Sequence, residues 1–270
     1  MDSGTAVITG ASTGIGAIYA DRLAKRGYDV VLVARHVGRL QEVAAGIALA
    51  TGRVAEIVAA DLTRGEDLAR LEERLRTDPR IEMLMNNAGA AMSGTVGGAD
   101  PDRLEQMIRL NVVAPTRLAA AVVPRFIARG RGTVVNISSA TALAPEWVHG
   151  AYSGSKAFLL NVSLKLQQET AGTGVRVQVV LPGAVRTGMW EKAGTDIDTI
   201  PAANVMDAEA MVDAALAGLD AGEPVTIPSM PEAADWDGWQ AARCALLPNL
   251  SRSTPAPRYR TRAATAAGGR

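Results

Sequence analysis

The chain of 270 residues carries a single cysteine, Cys244. An intramolecular disulfide is excluded, and so is a zinc site built from several thiolates. No histidine stands near Cys244 in the sequence. It reads as a small apolar residue and not as a nucleophile. Net charge is also missing, because 28 Lys and Arg residues balance 28 Asp and Glu residues. A general polyanion-binding surface, and with it a nucleic-acid partner, is not expected. The opening MDSGTAVITG lacks the basic region and long apolar run of a signal peptide. No apolar stretch approaches about 18 residues, so no membrane span is expected and a cytoplasmic location is the default. No repeat with a period of about 20–50 residues is visible. The composition bounds one α/β domain with a large core over residues 1–250.

What the chain does have is alternation. Short β-branched runs predict strands at 5–9, 29–34, 53–59, 83–85, 132–137, 174–181 and 224–227. Helical patterns fall between them at 14–26, 37–51, 65–77, 101–128, 151–170 and 208–221. The runs at 30–33, 134–137 and 177–181 are almost wholly apolar. Such strands suit a parallel sheet covered on both faces. The reading is a Rossmann-like, doubly wound parallel sheet of about seven strands with helices on both faces. The segment 251–270 differs, with five arginines, no acids and two prolines. It reads as a flexible tail or as an arm on a neighbouring subunit.

The first chemical signal lies at the first strand-to-helix turn, Thr9-Gly10-Ala11-Ser12-Thr13-Gly14-Ile15-Gly16. Glycines at 10, 14 and 16 let the backbone turn tightly and approach a pyrophosphate. The free amides at the start of the next helix, with its dipole, then hold the phosphates. Glycine-rich turns are common, but this position favours a nucleotide. The second predicted strand ends at Ala34, and Arg35 follows. In dinucleotide folds this position meets the adenosine ribose. An acid there would bind a free 2′-hydroxyl, whereas a guanidinium clamps a 2′-phosphate. NADP(H) is therefore expected over NAD(H).

The second signal is Tyr152-Ser153-Gly154-Ser155-Lys156, opening a predicted helix. Residues four apart share a helix face. A nearby ammonium favours the phenolate, which fits Tyr152 to exchange a proton near neutral pH. Alone, such a pair is more often two surface residues. Two further motifs change that weighting. Asn136-Ile137-Ser138-Ser139 ends a predicted strand, and Asn86-Asn87-Ala88-Gly89 follows another. Open α/β sheets bind ligands at such strand ends.

Over residues 5–227 the sequence resembles the short-chain dehydrogenase/reductase family. The resemblance is carried by Gly10, Gly14, Gly16, Asn87, Ala88, Gly89, Ser139, Tyr152 and Lys156. It implies that Asp61 and Leu62 contact adenine, and that Pro182, Gly183, Val185 and Thr187 lie along the nicotinamide end. Ser12, Thr13 and Ile15 join the cofactor set through the glycine loop. The implied catalytic residues are Asn111, Ser139, Tyr152 and Lys156. Ser139 polarises a substrate carbonyl and Tyr152 protonates the developing alkoxide. Lys156 holds the nicotinamide ribose and lowers the Tyr152 pKa. Asn111 positions a water linking Lys156 to solvent. Many NADP-dependent members have a basic residue where this chain has Thr13, so the NADP(H) expectation rests on Arg35 alone.

Substrate walls are expected from 140–150 and from a helical flap at 188–206. Trp147, His149, Met189 and Trp190 are the candidate liners beside Ser139 and Tyr152, and they favour an apolar ketone. A homodimer or homotetramer is implied by the resemblance. Two other readings remain open: an NADP(H)-binding sensor without turnover, and an epimerase or dehydratase of the wider family.

Overall fold

The computed structural model describes residues 4–259, in two compact units that meet between Ser229 and Met230. The sequence predicts a boundary later, after residue 250. Residues 260–270 of the expected tail lie outside the described residues.

The first unit is built on a seven-stranded sheet. Its strands are β1 (Thr5–Thr9), β2 (Asp29–Ala34), β3 (Ala55–Ala59), β4 (Ile81–Asn86), β5 (Gly132–Ile137), β6 (Val175–Val180) and, after two short strands described below, β9 (Val225–Thr226). All neighbours run parallel, in the order β3-β2-β1-β4-β5-β6-β9. The order reverses between β1 and β4, which opens a crevice at the carboxyl ends of the strands there.

The strands form where they do because both faces are covered. Successive side chains point to opposite faces. In β2, Val30 and Leu32 join one core with Ile8, Tyr19, Leu23 and Met211. Val31 and Val33 join the other with Val7, Leu71, Leu75 and Phe126. The first core is covered by α1 (Gly14–Lys25), α2 (Val37–Thr51) and α8 (Ala208–Asp220). The second is covered by α3 (Gly65–Thr77) and α5 (Ala114–Ala128).

The helix expected over 101–128 is not uniform. It consists of α4 (Pro101–Ile108), a π-helical turn (Arg109–Val113) and α5. Asp100 caps α4 by accepting from the Asp102 amide at 2.9 Å, and Pro101 opens the first turn. By length and composition alone the whole run could cross a membrane, although polar residues interrupt its apolar stretches. Half of its most apolar window is buried in the protein.

The helix carrying Tyr152 and Lys156 is α6 (Gly150–Glu169). After β6 comes a smaller parallel pair, β7 (Ala184–Val185) with β8 (Val205–Met206). Between them lies one short helix, α7 (Met189–Lys192), followed by single turns. The expected flap is thus mostly turns. The second unit contains α9 (Ala233–Ala245), where Trp236 and Trp239 stack with centroids 4.9 Å apart. Cys244, on α9, is exposed.

Candidate active site

A cleft of about 440 Å³ runs along the carboxyl ends of the strands. Its floor begins at the glycine loop. Gly10 has φ +69° and Gly14 has φ +56°, conformations that side chains rarely adopt. A Cβ on Gly10 would lie 2.9 Å from the Ala88 Cα, so the two strand-end loops touch only because Gly10 has none. Thr9 ties them together. Its hydroxyl accepts from the Asn87 and Ala88 amides, each at 3.0 Å, and donates to the Met85 carbonyl at 3.2 Å. Asn87 answers by donating from Nδ2 to the Thr9 carbonyl at 2.8 Å. Sequence reasoning gave Asn87 a cofactor role and gave Thr9 none. The signal for Thr9 was a polar residue ending a buried strand.

The start of α1 is open for an anion. Thr13, its N-cap, makes no side-chain cap, and the first turn holds no acid. The amide end of the helix dipole therefore faces the cleft without a competing carboxylate. Arg35 lines the far rim, with its side chain two-thirds exposed and Nη1 3.9 Å from Asp61 Oδ2. His36, which the sequence reading passed over, lines the same rim.

All eighteen residues expected to hold a cofactor line this one cleft. They come from beyond the ends of five strands and from the first turns of α6. Ser139 and Met189 line it as well. Three of the expected substrate liners do not. Trp147 is 70% exposed, in a short turn. Trp190 donates its indole N–H to the Val185 carbonyl at 2.8 Å, so it braces the flap. His149 is buried, and its Nδ1 accepts from the Ala151 amide at 3.2 Å, capping α6. These side chains sit in turns or in the four-residue α7, segments too short for periodicity to fix their direction.

At the inner end of the cleft, α6 presents Tyr152 and Lys156 one turn apart, both buried. Lys156 Nζ donates to the Ile137 carbonyl at 3.0 Å and lies 5.8 Å from the centre of the Tyr152 ring. No carboxylate pairs with it among the described residues, and burial brings its ammonium down to about 8. Burial also pushes the Tyr152 phenol above its ordinary range, while the neighbouring Ser139 hydroxyl pulls it back. This corrects the sequence expectation, in which Lys156 drew the phenol down. Desolvation outweighs the other influences on Tyr152 here.

Ser138 and Ser139, just past the end of β5, make different contacts. Ser138 Oγ donates to the Lys156 carbonyl at 2.7 Å and anchors α6 to β5. Asn111 sits in the π turn behind Gly89. Its Oδ1 accepts from the Ala90 amide at 2.8 Å, and its Nδ2 donates to the Ala90 carbonyl at 2.9 Å and to Ser155 Oγ at 3.0 Å. A Cβ on Gly89 would lie 3.3 Å from both Asn111 Oδ1 and Lys156 Nζ. Here, too, glycine keeps the approach to the lysine open.

The family model described as short chain dehydrogenase matches residues 4–198. The chain belongs to that family. This short-chain dehydrogenase is similar to a solved short-chain dehydrogenase from Sphingobium yanoikuyae in complex with NADPH. The two are 48% identical with a TM-score of 0.92, over 95% of this chain and 100% of that one. It is also similar to the bulky-bulky ketone specific alcohol dehydrogenase from Comamonas testosteroni. There the identity is 41% and the TM-score 0.88, over 96% and 99% of the two chains. Human 17-beta-hydroxysteroid dehydrogenase type 3 is 35% identical over 196 residues, which is 72% of this chain but 63% of the human protein. As a member of the family, the chain is an oxidoreductase with the seven-stranded Rossmann-like sheet described above.

Proposed function

We propose that this oxidoreductase is an NADP(H)-dependent carbonyl reductase that interconverts a ketone and a secondary alcohol, with Tyr152 as the proton donor and acceptor. One observation carries the reading. A buried lysine with no carboxylate partner among the described residues, a buried tyrosine and a serine hydroxyl meet at the inner end of the cleft that holds the glycine loop and Arg35.

The residues fit the cofactor. The uncapped start of α1 suits a pyrophosphate, and Arg35 suits a 2′-phosphate. Among the described residues Lys156 has one protein acceptor for its three donors, which leaves N–H groups for ribose hydroxyls. When bound, NADP(H) supplies or takes up the hydride.

The chain's own residues handle the proton. Burial keeps Tyr152 protonated at neutral pH, which suits it to donate to an alkoxide during reduction. Ser139 donates to the carbonyl oxygen and stabilises the charge that develops there. Lys156 is positioned to hold the ribose and to refill the Tyr152 proton. Asn111 fixes the Ala90 backbone and Ser155, which precedes the lysine on α6.

Met92, Met107, Ile137 and Met189 line the cleft and favour apolar substituents on the ketone. The ketone specificity named for the Comamonas relative supports the same direction. The proposal extends to a cytoplasmic homodimer or homotetramer, supported by the exposed apolar side chains Val113, Ile127 and Phe158 on or beside α5 and α6.

The test is NADPH oxidation against a ketone panel. Tyr152→Phe is expected to lose about 10²–10⁴ in kcat while still binding NADPH. No turnover by the wild type on any ketone, with tight NADPH binding, would favour a sensor instead.

A further inference from the structure

Ser139 opens the 3-10 turn Ala140–Ala142 that follows β5. Its Oγ lies 2.9 Å from Thr141 Oγ1 and accepts from the Thr141 amide at 3.2 Å. Thr141 is buried, 9% exposed, and is not among the residues that line the cleft. Ser139 Oγ is the one hydrogen-bond partner of the Thr141 hydroxyl among the described residues. That fixes the direction of the bond. If Thr141 accepted from Ser139, its own proton would be buried with no acceptor, a costly arrangement. Thr141 therefore donates.

A serine oxygen has two acceptor sites and one proton. On Ser139 both acceptor sites are filled from Thr141, one by the amide and one by the hydroxyl. The remaining proton is only weakly held, because the Pro182 carbonyl lies 3.4 Å away. Ordinary O–H···O bonds are about 2.5–3.0 Å.

We propose that Thr141 is a positioning residue that makes Ser139 a donor only, so that its proton is offered to the substrate oxygen or to the Tyr152 phenolate. The proposal rests on the roles given to Ser139 and Tyr152 above. With its acceptor sites filled, Ser139 cannot take a hydrogen bond from the Tyr152 hydroxyl. The phenol proton is then directed at the substrate. In the reduction, the Tyr152 O–H bond breaks and the new O–H bond forms on the alkoxide. The electron pair stays on the phenolate, the Ser139 proton stays on Ser139, and NADPH supplies the hydride.

Thr141→Val removes the hydroxyl, keeps the branched shape and leaves the amide in place. One acceptor site on Ser139 is then open to the Tyr152 hydroxyl. This stabilises the protonated phenol and weakens the donation that favours phenolate. We expect kcat for ketone reduction to fall about five- to tenfold, the worth of about one hydrogen bond, with KM for ketone and NADPH within about twofold. The rise of alcohol oxidation with pH should move to higher pH by about half a unit or more. Thr141→Ser, which restores a hydroxyl, should return both kcat and the pH profile.

An unchanged kcat and pH profile in Thr141→Val overturns the proposal, as does failure of Thr141→Ser to rescue. Melting temperature and NADPH fluorescence titration check that each variant folds. Should Thr141→Val not fold, Thr141→Ala makes the same removal and its outcomes read the same way. Tyr152→Phe is measured alongside. If it retains full turnover, the tyrosine reading itself fails. If it is inactive while Thr141→Val matches the wild type, only the Thr141 proposal falls.

Discussion

Replacing Lys156 by Met should abolish activity and yet make the protein more stable at neutral pH. The ammonium titrates at about 8 in the fold against an ordinary 10.5. At 1.36 kcal/mol per pH unit, that gap means the buried charge costs the fold about 3 kcal/mol at pH 7. The lysine also donates to the Ile137 carbonyl, a bond worth about 1 kcal/mol. Met removes the cost and loses the bond, so the variant should gain about 2 kcal/mol at pH 7. In melting temperature that is about 4–8 °C. The sign with pH follows from linkage. Between about 8 and 10.5 the folded chain has released this proton and the unfolded chain still holds it. Raising the pH through that window stabilises the wild type and leaves the Lys156 contribution of the variant at zero. The advantage of Lys156→Met should therefore shrink from about 2 kcal/mol at pH 7 to near zero at about pH 9.5. Urea unfolding of both proteins without cofactor, at pH 7, 8, 9 and 9.5, measures it. A variant no more stable at pH 7, or an advantage that does not change with pH, refutes the reasoning.

Arg35→Ser should weaken NADPH binding about 10- to 100-fold and leave NADH within about threefold, because only NADPH loses a charge-assisted contact. Fluorescence titration with each nucleotide reads the ratio, and a preference for NADH in the wild type would sink the Arg35 argument. Thr9→Val keeps the shape of the strand end but leaves the Asn87 and Ala88 amides without their acceptor. A loss of about 2 kcal/mol in urea unfolding is expected, with a parallel fall in NADPH affinity.

The parts of the fold that were legible are those where covering elements leave one solution. β2 and β5 have the bounds their composition predicts, because a continuous apolar run must be buried on both faces. β4 was read as three residues and has six, since Glu82 and Asn86 break the apolar run. Asn86 is tolerated inside because its Nδ2 donates to Asn136 Oδ1 at 2.9 Å and to the Pro115 carbonyl at 3.2 Å. Neither partner is near it in sequence. The π turn around Asn111 was invisible for another reason. One extra residue shifts the helical phase by only about 100°, and with α4 two turns long there is too little stripe before the shift to set against the stripe after it.

The same distinction runs through the site. Glycine loop, Arg35, Ser139, Tyr152 and Lys156 each announce themselves by a local pattern at the end of a strand or the start of a helix. The sheet order alone then brings them together, since every parallel strand ends on the same edge. Thr9, Thr141 and His149 act on backbone or hydroxyl groups whose positions exist only after the chain has folded. Thr9 holds residues 78 and 79 positions away. Thr141 reaches only two residues back, yet its importance depends on Ser139 being buried against Pro182, 43 positions on. The substrate side fails for a third reason. The chain between β7 and β8 is mostly short turns, where neither a 3.6-residue nor a 2-residue period fixes which side chain faces inward. Trp190 shows the consequence, because its indole is committed to the Val185 carbonyl and so shapes the wall without entering the cleft. Selectivity among ketones should then respond more to Met189, which does line the cleft, than to either tryptophan that composition alone had placed there.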